Sequence, residues 1–92
     1  MMLTIYSKNN CPFCVMAKDY LQSKNINFRE INIEQDTEAR EFIQRQGLRT
    51  VPQIFMDGKI FVEGGWTGLS RMTTEDILNE MELRDSLASG TL

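Results

Sequence analysis

Two cysteines stand where an apolar run gives way to a helical pattern. Leu3-Thr4-Ile5-Tyr6 comes first, then Cys11-Pro12-Phe13-Cys14, then Val15, Ala17 and Leu21. This order predicts a strand, a tight turn and a helix opened by Pro12, where a missing N–H costs nothing. Thiols at this spacing can close a small disulfide ring with little backbone movement. Cys11 would sit at the helix start, where unpaired N–H groups and the helix dipole favour a thiolate. Such positions turn sulfur into a nucleophile. The functional reading makes Cys11 the exposed attacking thiolate and Cys14 the more buried resolving thiol. The plainer readings are two inert buried cysteines or half of a zinc site. Zinc needs about four ligands, and the chain has no other Cys and no His. No metal is expected.

The chain has 92 residues, enough for one domain over 1–92 with a single core. Hydrophobic residues make up 41% and charged residues 25%, ordinary for a globular protein. The net charge of -3 and the lack of a basic patch argue against nucleic acid. No stretch approaches the roughly 20 apolar residues of a membrane span. The N-terminal apolar stretch is too short for a signal peptide and lacks a basic start. A reducing cytoplasm is therefore the expected setting, in which a disulfide is more often transient than structural.

Met2 to Tyr6 reads as a buried strand. The helix from Pro12 ends at Lys24-Asn25. Phe28, Ile31 and Ile33 mark a second strand with its register disturbed at Glu30-Ile31. Asp36-Thr37 caps a second helix with Glu38 in its first turn. Ala39, Phe42, Ile43 and Gln46 carry its period, and Gly47 stops it. Gln53–Met56 and Ile60–Val62 flank Asp57-Gly58, the strongest short hairpin signal. Leu69 and Met72 predict a short helical turn. Thr73 and Asp76 resemble a capping box. Ile77, Leu78, Met81 and Leu87 continue as an amphipathic C-terminal helix, and Ser89–Leu92 reads as a frayed tail. The fold class is α/β, in the order β-α-β-α-β-β-α. It predicts a four-stranded mixed sheet with helices on both faces, its first two strands parallel.

Further along, Lys8 is a cation placed to favour the Cys11 thiolate or hold a substrate carboxylate; the alternative is a solvated loop lysine. Thr50-Val51-Pro52 puts proline at a strand start, rare unless the site is special. A cis Val51-Pro52 bond would present the Val51 backbone to an extended peptide, though trans is the commoner form. Gly64-Gly65-Trp66-Thr67 allows close backbone approach. The N–H groups of Trp66 and Thr67, with the Thr67 hydroxyl, would form an anion site at a helix start; the alternative is a plain turn. Trp66 is either a wall of the site or ordinary packing. Arg40, Gln44 and Arg49 are weaker candidates for a ligand carboxylate.

Taken together, the sequence resembles a glutaredoxin. The resemblance rests on Tyr6-Ser7-Lys8 before Cys11-Pro12-Phe13-Cys14, then Arg49-Thr50-Val51-Pro52-Gln53-Ile54-Phe55, Asp57-Gly58 and Gly64-Gly65. It covers the chain to about Leu69 and fits the short bacterial or viral type. It implies a thioredoxin-like fold and a dithiol enzyme that uses glutathione to reduce protein disulfides and glutathione mixed disulfides. By that resemblance Cys11 attacks and Cys14 resolves. Lys8 holds the glycine carboxylate of glutathione, Val51 pairs with its cysteinyl backbone, and Trp66 and Thr67 take its γ-glutamyl end, with Pro52 and Gly65 part of the same site. Phe13 and Thr50 border the same site. A cytoplasmic monomer is expected, with disulfide-containing proteins, ribonucleotide reductase among them, as partners.

Two positions depart from the family pattern. Phe13 replaces the usual Tyr, keeping the ring and losing a hydroxyl. Gly68 stands where an Asp would meet the γ-glutamyl amine, a contact worth about 1.5–3 kcal/mol, less if exposed. Weaker glutathione binding is expected. This opens a second reading, a ribonucleotide-reductase redoxin fed by thioredoxin reductase, although such proteins usually lack the Gly-Gly pair. A third, a [2Fe–2S] carrier bridging two chains, is opposed by Pro12. A fourth is a protein-interaction module with no role for Cys11.

Overall fold

The computed structural model describes residues 2–88. Its elements are β1 (Leu3–Ser7), α1 (Pro12–Ser23), β2 (Phe28–Asn32), α2 (Thr37–Arg45), β3 (Gln53–Met56), β4 (Lys59–Val62), α3 (Gly65–Ser70) and α4 (Thr74–Ala88). The four strands form one sheet in the order β2-β1-β3-β4. β1 and β2 are parallel, as expected for strands joined through a helix, and β3 runs antiparallel to β1 and β4. The hairpin turns on Asp57 (φ 51°) and Gly58 (φ 78°), both left-handed, the geometry that a two-residue loop needs to match strand twist.

Side-chain alternation divides the core between the sheet's two faces. Leu3, Ile5, Ile54 and Met56 pack with Ala17 and Leu21 of α1, Leu69 of α3, and Ile77 and Met81 of α4. Tyr6 and Phe55 point the other way and pack with Ala39 and Ile43 of α2. Helices therefore cover both faces. The predicted caps are present. Asp36 Oδ1 accepts the Ala39 N–H at 3.0 Å. The Thr73 N–H donates to Asp76 at 2.9 Å, and the Asp76 N–H donates back to the Thr73 hydroxyl at 3.1 Å. Arg84 of α4 lies over the Phe61 ring and donates to the Ile60 and Phe61 carbonyls, which ties α4 to β4.

Several expectations need correction. β1 ends at Ser7 rather than Tyr6, because Ser7 pairs with Asn32 and is fully buried, whereas Met2 is half exposed. The β1–β2 register is unbroken through Glu30-Ile31. The irregularity lies instead between Ile54 and Phe55, opposite β4. Ile33 falls beyond β2, although its N–H still reaches the Ser7 carbonyl at 2.8 Å. Leu78 and Leu87 do not join the core; only Ile77 and Met81 of α4 are buried. The tail at Ser89–Leu92 lies outside the described residues.

Candidate active site

Cys11 is the N-cap of α1, with extended backbone (φ -120°, ψ 95°) and Pro12 in the first helical turn. Its sulfur accepts the Cys14 N–H at 3.2 Å. A sulfur here takes the place of the usual capping oxygen and meets the orphan donors of the first turn. The two sulfurs are joined as a disulfide, with the Cα atoms 5.2 Å apart. Cys14 is 2% exposed and Cys11 8%. Cys11 is thus the more accessible of the pair but less open than expected, because α1 and the Val51 turn flank it. Phe13 projects outward and is 58% exposed.

Val51–Pro52 is a cis peptide bond, and the Val51 carbonyl lies 3.8 Å from Cys11 Sγ. The turn is clamped from below. The buried Gln53 amide donates to the Thr50 carbonyl at 2.9 Å and the Thr50 hydroxyl at 3.2 Å. Gly65 closes the other side. Its φ is +56°, and a Cβ there would stand 2.6 Å from the Pro52 carbonyl, so only glycine lets α3 abut this turn.

The remaining candidates divide. Lys8, Arg40, Gln44, Arg49, Thr50 and Val51 line one cavity of about 710 Å³, so the weaker candidates on α2 join the stronger ones. Trp66 instead packs on the core, its ring edge-on to Tyr20 with centroids 5.4 Å apart. Thr67 is exposed, and its carbonyl accepts the Ser70 hydroxyl at 2.9 Å. Gly68 has a steric reason for its departure from the family pattern. A Cβ there would run into the Glu63 carbonyl, because α3 lies close against the end of β4.

A group not singled out from the sequence lies beside the cysteines. Glu30 Oε2 accepts the Ser7 hydroxyl at 2.6 Å and Lys18 Nζ at 2.8 Å. Those two donors hold the Glu30 carboxyl below its usual range, Lys18 first. The cysteine loop is also strapped to β2 and the following turn: the Asn9 N–H donates to Glu34 at 2.6 Å, and the Asn32 amide to Asn9 at 2.9 Å. No local pattern signals such contacts, which join residues more than ten positions apart. Among the described residues, no group of three or more His, Cys, Asp or Glu is placed to hold a metal ion. Among them, too, no helix is long and apolar enough to cross a membrane.

Residues 3–62 match the Glutaredoxin family model. The chain is 46% identical over 56 residues to glutaredoxin 3 of Escherichia coli K12, covering 60% of this chain and 68% of that protein. It is 43% identical over 60 residues to the glutaredoxin-like protein NrdH of Lactococcus lactis subsp. cremoris, covering 65% and 83%. The crystal structure of glutaredoxin 1 from Francisella tularensis complexed with cacodylate is similar with a TM-score of 0.66 and 34% identity, over 85% of this chain and 96% of that one. The matched span carries both cysteines and the Val51–Pro52 turn, and it stops just before Gly64-Gly65. On that span, the chain belongs to the glutaredoxin family of thiol–disulfide oxidoreductases.

Proposed function

We propose that this chain reduces protein disulfides and glutathione mixed disulfides with glutathione as electron donor. The observation that carries the reading is the cavity that gathers Lys8, Arg40 and Arg49 with Val51, whose carbonyl lies 3.8 Å from Cys11 Sγ. Three cations suit the carboxylates of a small acidic peptide, and Val51 offers backbone groups for strand-like pairing. Trp66 and Thr67 take the γ-glutamyl end through backbone N–H groups, with the Trp66 ring serving as packing.

The chemistry is thiol–disulfide exchange. The Cys11 thiolate attacks a target sulfur and forms a mixed disulfide. Cys14 then attacks Cys11 Sγ, and the target leaves as a thiol. Two glutathione molecules reduce the resulting Cys11–Cys14 disulfide and become glutathione disulfide. The setting is the cytoplasm, the enzyme is a monomer, and ribonucleotide reductase is among its protein targets.

A second reading, supply of electrons by thioredoxin reductase, is favoured by Gly68. No side chain at that position offers a carboxylate to glutathione, and the nearby Glu63 carbonyl leaves no room for one. The two readings part in one assay. The oxidised protein is given either glutathione with glutathione reductase and NADPH, or thioredoxin reductase with NADPH. Fast turnover with glutathione supports the proposal. Turnover with thioredoxin reductase alone overturns it.

A further inference from the structure

The resolving step asks more of Cys14 than the site described so far provides. Cys14 is 2% exposed, and burial in apolar surroundings disfavours a thiolate. Its own N–H is committed to Cys11, reaching Sγ at 3.2 Å and the carbonyl oxygen at 3.1 Å. The helix start that favours ionisation of Cys11 thus serves Cys14 less directly.

A second cavity, of about 580 Å³, borders both cysteines. The charged groups lining it are Lys8 from the loop, Lys18 from α1 and Glu30 from β2, two cations against one anion. Lys18 follows Cys14 by four residues and so lies on the same face of α1, one turn on. Helical side chains lean toward the N-terminus, which carries the Lys18 stem back toward Cys14. Its ammonium is held 2.8 Å from Glu30 Oε2, and that oxygen is anchored in turn by the hydroxyl of fully buried Ser7. A free lysine would sample many rotamers, whereas this one is pinned beside a cavity that Cys14 also lines.

We propose that Lys18, fixed by Glu30 and Ser7, is the positioning residue of the resolving step: its ammonium stabilises the Cys14 thiolate as that thiolate attacks. In this step the Cys14 thiol gives its proton to water in the cavity. The sulfur then bonds to Cys11 Sγ, and the bond between Cys11 and the target sulfur breaks. The target leaves as a thiolate and takes a proton from solvent. The cysteine pair is oxidised by two electrons and the target is reduced by two. The inference rests on the dithiol division of labour proposed above and is independent of which donor restores the pair.

The test uses the full chain carrying Cys11→Ser, in which Cys14 is the single thiol, and titrates thiolate absorbance against pH. Adding Lys18→Met raises the Cys14 midpoint by about half a pKa unit or more, a modest shift because Lys18 is partly solvated. Lys18→Arg restores most of it. Glu30→Gln frees the lysine but also removes an anion, so its midpoint rises less than that of Lys18→Met or falls. No rise with Lys18→Met overturns the proposal. An equal rise with Glu30→Gln overturns it too, because the pair would then be only a structural strap. Neither donor nor target enters the titration, so its failure is distinct from failure of the glutathione assay. Failure of the cysteine roles is read separately, by whether Cys14→Ser retains a mixed disulfide.

Discussion

The backbone N–H of Cys14 points at the sulfur of Cys11 from 3.2 Å, so the first cysteine of the motif caps α1 through the main chain of the second. This bond, with the α1 dipole, favours negative charge on Cys11 Sγ once the disulfide is reduced. In the Cys14→Ser variant, which retains that N–H, the Cys11 thiolate should form below the ordinary thiol pKa of about 8.5. Thiolate absorbance titration checks this. A midpoint at or above that value contradicts the helix-start account.

The cations around the Val51 cavity predict a graded effect. Lys8→Ala and Arg40→Ala should each raise KM for glutathione, by up to about five-fold, because an exposed ion pair is worth roughly 0.2–1 kcal/mol. The penalty should shrink in high salt as screening removes the contribution. Steady-state kinetics at two ionic strengths measure both. A KM independent of both cations and of salt would place the glutathione carboxylates elsewhere.

The glycines after β4 should resist substitution for different reasons. Gly65 combines a left-handed φ of +56° with a Cβ position 2.6 Å from the Pro52 carbonyl. Gly65→Ala should therefore cost about 1–3 kcal/mol of stability. Gly68→Asp should also destabilise, because its Cβ meets the Glu63 carbonyl, and should fail to tighten glutathione binding. Denaturant midpoints and KM report the two effects separately. A stable Gly68→Asp protein with lower KM would mean that α3 shifts readily.

Acid should weaken the contact between β2 and α1. The Lys18 and Ser7 hydrogen bonds hold the Glu30 carboxyl below its usual range in the folded state. A depressed carboxyl pKa adds stability above the unfolded value of about 4.3, and this is lost as pH falls through the folded value. The wild type should thus lose stability below about pH 4.3 more steeply than Glu30→Gln, with the two curves differing little in shape above pH 6. Denaturation series from pH 3 to 7 give the comparison. Parallel curves throughout would show that the contact carries no pH-dependent stability.

The parts of this fold that were legible in sequence are those set by local chemistry. Asp57-Gly58 needed left-handed dihedrals, Asp36 and Thr73 met orphan N–H groups, and Cys11-Pro12 opened a helix; each is complete within a few residues. The glutathione contacts proposed for Lys8 and Val51 come from the family resemblance. Long-range packing was not legible. Whether Leu78 and Leu87 are buried depends on which face of α4 meets the sheet, and Ile77 and Met81 take that face. Trp66 is a packing residue because Tyr20, two turns beyond the cysteines, reaches its ring. The Ser7–Glu30–Lys18 group forms only once β2 lies beside β1 under α1.

Trapping separates the attacking role of Cys11 from the resolving role of Cys14. Each single Cys→Ser variant is incubated with a glutathionylated peptide and analysed by intact mass and peptide mapping. Cys14→Ser should accumulate glutathione on Cys11, while Cys11→Ser should capture almost none. Equal capture by Cys14 in the Cys11→Ser variant would contradict it, because neither the helix cap nor the difference in exposure would then select the attacking sulfur.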